Sequence, residues 1–262
     1  MRLDAIRGFV FDVDGTLVHR AGDEVHVQPG AIEVLERVRA SGRPLVLFTN
    51  GSHEAPETFA AGLRAAGLHV QDDELLTPLR SVQSYLCPGA SVLLFANGPA
   101  RGYLESAGVR LVEEGGDAVF VAHADRVDFE RLEAAARAVL AGARLLTASY
   151  APAYAGANGP IFSRGAMTAA ALAKVTGRRP VIVGKPSRAA LRVIAEQTGV
   201  GTRDLVVVGD DLGMDIALGR LGGARTILVA SGISGRVDLD RVPASRRPDE
   251  VVDGVAELLD RL

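Results

Sequence analysis

Two aspartates stand two residues apart, Asp12 and Asp14, at the end of the apolar run Gly8-Phe9-Val10-Phe11. At strand spacing, residues i and i+2 project to the same side. A third acid, Asp210, ends a second apolar run, Leu205-Val206-Val207-Val208-Gly209. Acids gathered in one place repel unless a cation lies between them, and hard oxygen ligands suit Mg2+. Beside a phosphoryl group, one carboxylate can attack phosphorus to give an aspartyl-phosphate. The other can exchange protons with the leaving oxygen and then with water. Gly15 permits the tight turn that brings backbone amides near such a group. Thr49 and Asn50 follow the run Leu45-Val46-Leu47-Phe48, and their hydroxyl and amide can hold phosphate oxygens. Lys185, after Val181-Ile182-Val183-Gly184, offers a point charge for the phosphate and for charge developing in transfer.

These residues need a scaffold that brings distant strand ends together. The apolar runs named above, with Thr226-Ile227-Leu228-Val229, are continuous rather than alternating, as in strands buried on both faces of a parallel sheet. Helical patterns separate them. One starts at Pro29, repeats Ile32, Leu35 and Val38, and stops at Gly42. Others run from Pro56 to Gly67, from Arg188 to Gly199 and from Gly254 to Leu262. The alternation predicts an α/β fold, a doubly wound, Rossmann-like, mostly parallel sheet. Ligands bind beyond the carboxyl ends of the strands in such sheets. The middle of the chain has strands of its own at Val92–Phe95, Ala118–Val121 and Leu145–Thr147, and helices at Gly102–Ala107 and Phe129–Leu140. It reads as an inserted α/β cap over residues 80–183, with residues 1–79 and 184–262 forming the core.

The chain has 262 residues, with 29 basic and 32 acidic side chains and a net charge of −3. That balance argues against a nucleic-acid partner, which calls for a basic face. No run approaches the length of a membrane span, and no secretory signal is visible, so the expectation is a cytoplasmic protein without membrane contact. The single cysteine, Cys87, cannot form an internal disulfide and is expected as a small core hydrophobe. The five histidines show no metal-ligand spacing, and of these only His53 lies near the proposed site.

The segment Phe11-Asp12-Val13-Asp14-Gly15-Thr16-Leu17 resembles the first motif of the haloacid dehalogenase superfamily. Thr49-Asn50 resembles its second motif, Gly184-Lys185-Pro186 its third, and Val208-Gly209-Asp210-Asp211-Leu212-Gly213-Met214-Asp215 its fourth. Their order is that of the superfamily, and the large insertion between the second and third resembles subclass IIA, the NagD-like and p-nitrophenylphosphatase-like proteins. The resemblance implies a Mg2+-dependent phosphatase of small phosphorylated metabolites. Asp12 would be the nucleophile and Asp14 the general acid/base. Mg2+ would be held by the Asp12 carboxylate, the Asp14 backbone carbonyl and Asp210. Thr49, Asn50 and Lys185 would bind phosphate and orient the nucleophile. Asp215 would bond Lys185 or a metal-bound water, although it also stands where it could cap a helix starting near Ile216. The acid at position 14 points to C–O–P rather than carbon–halogen cleavage. Relatives often pair through the cap, which implies a homodimer of that kind.

Three alternatives stand beside this reading. The first is a phosphotransferase of the same superfamily. The second is a phospho-accepting signalling module, which Asp14 and the insertion disfavour. The third is a non-catalytic binding protein, disfavoured because every catalytic position is filled. Where NagD-like members commonly carry Thr-Asn-x-Asp, this chain has Thr147-Ala148-Ser149-Tyr150, followed by Ala155-Gly156-Ala157-Asn158-Gly159-Pro160. The usual clues to the substrate are therefore missing. Tyr150, Tyr154 and Phe162 are expected to pack between cap and core.

Overall fold

A computed structural model describes residues 3–21, 24–156, 159–235 and 237–262. Ala157 and Asn158 of the cap segment noted above lie outside the described residues. Along the chain the strands are β1 (Gly8–Asp12), β2 (Val18–Ala21), β3 (Glu24–Val27), β4 (Leu45–Phe48) and β5 (Leu75–Leu76). Then come β6 (Ser91–Phe95), β7 (Arg110–Val112), β8 (Ala118–Val121), β9 (Arg144–Thr147), β10 (Ala153–Gly156), β11 (Gly159–Phe162) and β12 (Val181–Ile182). Three more, β13 (Leu205–Gly209), β14 (Arg225–Val229) and β15 (Glu250–Val252), close the series.

Six of them form a parallel sheet in the order β15-β14-β13-β1-β4-β5. The residues of β1 and β13 are buried throughout, which is why their sequences run apolar without alternation. Phe9, Phe11, Val206 and Val208 pack on one face of the sheet, and Val10, Val46, Phe48 and Val207 on the other. The chain winds outward from β1 through β4 to β5, then returns to the other side of β1 for β13, β14 and β15. The point where the winding reverses lies between β1 and β13. Beyond the carboxyl ends of these two strands, α/β sheets bind ligands.

A second parallel sheet has the order β12-β9-β8-β6-β7, with its own apolar clusters on both faces. Two antiparallel hairpins, β2–β3 and β10–β11, complete the fold. Neither hairpin was visible as alternation, because each strand has only four residues.

Several local expectations shift. The helix expected from Pro29 starts at Ala31, because Gly30 takes a left-handed conformation (φ 79°) as its N-cap. The terminal helix is 3-10, Val255–Asp260; its buried Val255 and Leu258 recur at three residues, the 3-10 repeat. Val181–Ile182, at the end of the span 80–183 read as the cap, pairs with β9 of the second sheet. The helix expected from Gly102 begins at Gly98, with Asn97 as N-cap. Cys87 is exposed, in the loop before β6, and so is not a core residue. Tyr154 and Phe162 are 45% and 68% exposed on the β10–β11 hairpin, where two strands alone offer no second layer to cover them. No helix among the described residues is long and apolar enough to cross a membrane.

Candidate active site

Asp12 ends β1 with its side chain buried. The Lys185 ammonium, itself buried, donates to Asp12 Oδ1, to Asp215 Oδ1 at 2.7 Å and to the Phe48 carbonyl at 2.7 Å. Its three protons are thereby used. The second oxygen of Asp12, Oδ2, is buried and has no hydrogen-bond partner among the described residues. A buried carboxylate oxygen left unpaired is costly, and such an atom asks for a cation or an electrophile.

Asp210 follows β13, at the other side of the reversal point. Its Oδ2 accepts from the Ile233 N–H at 2.8 Å. Two glycines make room for it: a Cβ on Gly15 (φ +95°) or on Gly232 would fall on the Asp210 carboxylate. Gly209 does the same for Asp215, against which any side chain there would collide. Asp215 spends both oxygens, one on Lys185 and one on the Asp211 N–H at 3.1 Å. It does not cap the following helical turn. Asp211 does, accepting from Gly213 N–H at 2.6 Å and Met214 N–H at 3.2 Å.

Asp12, Asp210 and Asp215 bring carboxylate oxygens within 4.8 Å of one another, all three residues buried, and the group can hold a metal ion. The electrostatics express the same crowding. Burial raises the Asp12 carboxyl well above the usual range; Lys185 pulls it down, and Asp215 and Asp210 push it up. Burial, then Asp215, raises Asp210 to about 7. Burial pulls the Lys185 ammonium down, but the Asp12 and Asp215 charges outweigh it and hold the group above the ordinary lysine value. Of the three acids, Asp215 is committed to its own partners. Asp12 Oδ2 and the second oxygen of Asp210 are the atoms left for a cation or an electrophile.

Asp14, two residues on, lies outside that cluster and is partly exposed. Its Oδ1 meets Arg20 Nε at 2.5 Å, and its Oδ2 accepts from the Thr49 hydroxyl at 3.2 Å. Arg20 comes from β2 and rests on the Phe59 ring at 4.9 Å. Nothing in its sequence surroundings marked it as a partner of Asp14, because the hairpin that carries it was not foreseen. Thr49 also accepts from the Gly51 N–H at 2.9 Å, so motif two forms its own turn.

Asn50 is placed differently from a phosphate ligand. Its Oδ1 accepts from the Lys185 N–H at 2.7 Å, and its Nδ2 donates to the Lys185 carbonyl at 3.0 Å. It also reaches Met214 Sδ at 3.1 Å and Ser149 Oγ at 3.4 Å. The side-chain amide therefore clamps the main chain of Lys185 just after the chain leaves the cap sheet at β12. Gly184 permits the clamp, since a Cβ there would strike Asn50 Oδ1 and the Ala148 carbonyl. His53 lies against Phe59 and against His123 of the cap, with ring centroids 6.1 Å apart in each case. Burial holds its imidazole below the usual value.

Comparison with known proteins bears on this arrangement. A family profile described as haloacid dehalogenase-like hydrolase matches residues 9–110, and one described as HAD-hydrolase-like matches residues 182–258. The ribonucleotide monophosphatase NagD of Escherichia coli K12 is 32% identical over 260 residues, covering 97% of this chain and 98% of NagD. A 4-nitrophenylphosphatase from Thermotoga maritima superposes with a TM-score of 0.88 at 29% identity, over 98% of both chains. A glycerol phosphate phosphatase from Mycobacterium tuberculosis, solved in complex with magnesium, shares the fold with a TM-score of 0.84 at 24% identity, over 97% of this chain and 77% of that one. With four motifs in order, two parallel sheets and a full-length relative above 30% identity, the chain belongs to the haloacid dehalogenase-like hydrolases, in the NagD and p-nitrophenylphosphatase (type IIA) group.

Proposed function

We propose that the protein is a phosphatase of small phosphorylated metabolites, with Asp12 as nucleophile and Asp14 as general acid and base. The single observation that carries this reading is the state of Asp12: buried, one oxygen held by Lys185, the other without a partner. An oxygen so presented attacks phosphorus, forming an O–P bond as the P–O bond to the leaving group breaks. Asp14 gives its proton to the departing oxygen. In the second step the Asp14 carboxylate takes a proton from water as that water attacks phosphorus, and the aspartyl–phosphate bond breaks to release phosphate and regenerate Asp12.

Lys185 holds Asp12 in place and meets charge that develops on the phosphoryl oxygens. Asn50 and Asp215 fix Lys185 from its main chain and its ammonium, respectively. The Thr49 hydroxyl, at 3.2 Å from Asp14, keeps that carboxylate beside the nucleophile and is also in reach of a phosphate oxygen. Asp12 and Asp210, with the main-chain carbonyl of Asp14, would hold Mg2+. When bound, that ion supplies the positive charge that keeps the clustered carboxylates ionised and neutralises the phosphate.

Phosphate release measured across a panel of metabolite monoesters, with and without Mg2+, tests the reading. Asp12→Asn is expected to abolish turnover while the folded state persists by circular dichroism. Near-normal release by that variant would remove Asp12 from the role of nucleophile.

A further inference from the structure

Asp14 is held at both carboxylate oxygens, and the two partners differ in kind. Arg20 Nε donates to Oδ1 at 2.5 Å, and the Thr49 hydroxyl donates to Oδ2 at 3.2 Å. A guanidinium only donates, whereas a hydroxyl can donate or accept. A proton on Asp14 is accordingly placed on Oδ2, where the Thr49 hydroxyl can turn to accommodate it, and Oδ1 stays the acceptor for Arg20.

The pair is built into the fold. The turn that carries Asp14 is closed by the Leu17 and Val18 N–H groups on the Val13 carbonyl, at 2.9 and 3.0 Å, and by the Gly15 N–H on the Val18 carbonyl at 2.8 Å. Strand β2 begins at Val18, so Arg20 leaves that turn on a paired strand, opposite Val25. Its guanidinium rests 4.9 Å from the ring centroid of Phe59, a buried residue of the helix Pro56–Ala65. The same ring lies against the turn of motif two: a Cβ on Gly51 would sit 3.1 Å from Phe59 and 3.2 Å from the Thr49 hydroxyl oxygen. One ring thus supports both partners of Asp14.

We infer that Arg20 is a positioning residue for Asp14: it holds Oδ1, so that Oδ2 carries the proton and faces the leaving oxygen. The inference rests on the phosphatase reading and deepens it. In the first step Asp12 forms its bond to phosphorus while the P–O bond to the leaving group breaks, and the proton on Asp14 Oδ2 passes to the departing oxygen. Arg20 exchanges no proton in this step. It keeps one carboxylate orientation among those that a partly exposed aspartate would otherwise sample. An ion pair so exposed adds little to stability, and its consequence therefore lies in the chemistry rather than in the fold.

Leaving groups separate this role from a structural one. A nitrophenolate departs without a proton, whereas an alkoxide needs one. Single-turnover release of the alcohol in Mg2+, with protein in excess over ester, reads the first step alone for 4-nitrophenyl phosphate and for glycerol phosphate. Arg20→Met keeps the stem over Phe59 and loses the bond to Asp14. It is expected to slow glycerol release about tenfold or more, a fraction of what a general acid supplies, and nitrophenolate release less than about twofold. Arg20→Lys, which returns a donor and a charge, is expected to recover part of the glycerol rate. Circular dichroism and Mg2+ affinity are expected to match the wild type in both variants, which places the loss in the proton transfer. Equal slowing of the two esters, no slowing of either, or a Lys variant no faster than the Met variant would overturn the inference. Failure of the wider reading looks different: the wild-type protein itself would release phosphate from neither ester.

Discussion

Replacing Lys185 by Met removes the charge from the centre of the site and keeps its length. The ammonium is 3% exposed and is bonded to two carboxylates, with Asp215 at 2.7 Å, and to the Phe48 carbonyl at 2.7 Å. Taking one partner from a buried ion pair typically costs about 3–5 kcal/mol, because the other charge is left uncompensated. The loss depends on pH, and the carboxylates set the dependence. Lys185 is held above the ordinary lysine value, so it is charged in both folded and unfolded chains from pH 5 to 8 and contributes no slope there. Asp12 and Asp210 already sit above the usual range, Asp210 at about 7. Without the lysine their folded values rise further. Acids raised on folding give stability that is present at low pH and disappears as pH rises through the folded value. The expected destabilisation is therefore about 3–5 kcal/mol at pH 8 and under about 2 kcal/mol at pH 5, where protons replace the lost charge. Urea unfolding of the metal-free wild type and variant at the two pH values measures it. An equal loss at both, or less than about 1 kcal/mol at pH 8, would refute the view that Lys185 holds two ionised carboxylates together.

Mg2+ must compete with protons for Asp210, so its affinity is expected to fall as pH drops below 7 and its binding at pH 6 to release protons. Calorimetry in buffers of different ionisation enthalpy reads this, and pH-independent affinity from 5 to 8 would count against Asp210 as a ligand. Metal-free protein should lose stability between pH 4 and 8, and Mg2+ should return it. Gly232→Ala would drive a methyl group into the Asp210 carboxylate; the expected result is weaker Mg2+ binding and a stability loss of about 1–3 kcal/mol, followed by metal titration and thermal unfolding. Asn50→Ala leaves the Lys185 N–H and carbonyl unpaired and is expected to cost about 2 kcal/mol or more and most of the phosphate release. Asn50→Asp, which keeps the acceptor but loses the donor, should recover only part, as urea unfolding and phosphate assays will show.

The fold was legible where a strand is buried on both faces. Runs such as Gly8–Asp12 and Leu205–Gly209 leave no other reading, and the residue that ends each run is fixed at the sheet edge by geometry alone. Legibility failed where a decision depends on a neighbour distant in sequence. Asn50 looks like a phosphate ligand beside Thr49, but its amide faces Lys185, 135 residues away. Arg20 meets Asp14 because a four-residue hairpin turns it back, and such short strands carry almost no periodic signal. Cys87, taken for a core hydrophobe on residue type, lies exposed in a loop, a context that residue type does not encode.

The charges at the reversal point explain why so many of these residues must act together. Three buried carboxylates face one ammonium, which leaves two negative charges when all are ionised. Burial first, and the neighbouring carboxylates after it, hold Asp12 and Asp210 above the usual range, so protons relieve this charge in the metal-free protein. A protonated Asp12 is a poor nucleophile, so the relief that stabilises the fold disables the chemistry. A divalent cation removes the same two charges without taking a proton, and only then are a charged Asp12 and a stable core compatible. Asp215 belongs to this balance although both its oxygens are spent: its charge lifts Lys185 and so keeps the ammonium available beside Asp12. Asp215→Asn should accordingly weaken phosphate release through Lys185 and Asp12 rather than through lost metal ligation. A large drop in turnover with nearly unchanged Mg2+ affinity is the expected signature; an equal drop in both would make Asp215 a metal ligand and place the ion deeper in the cluster.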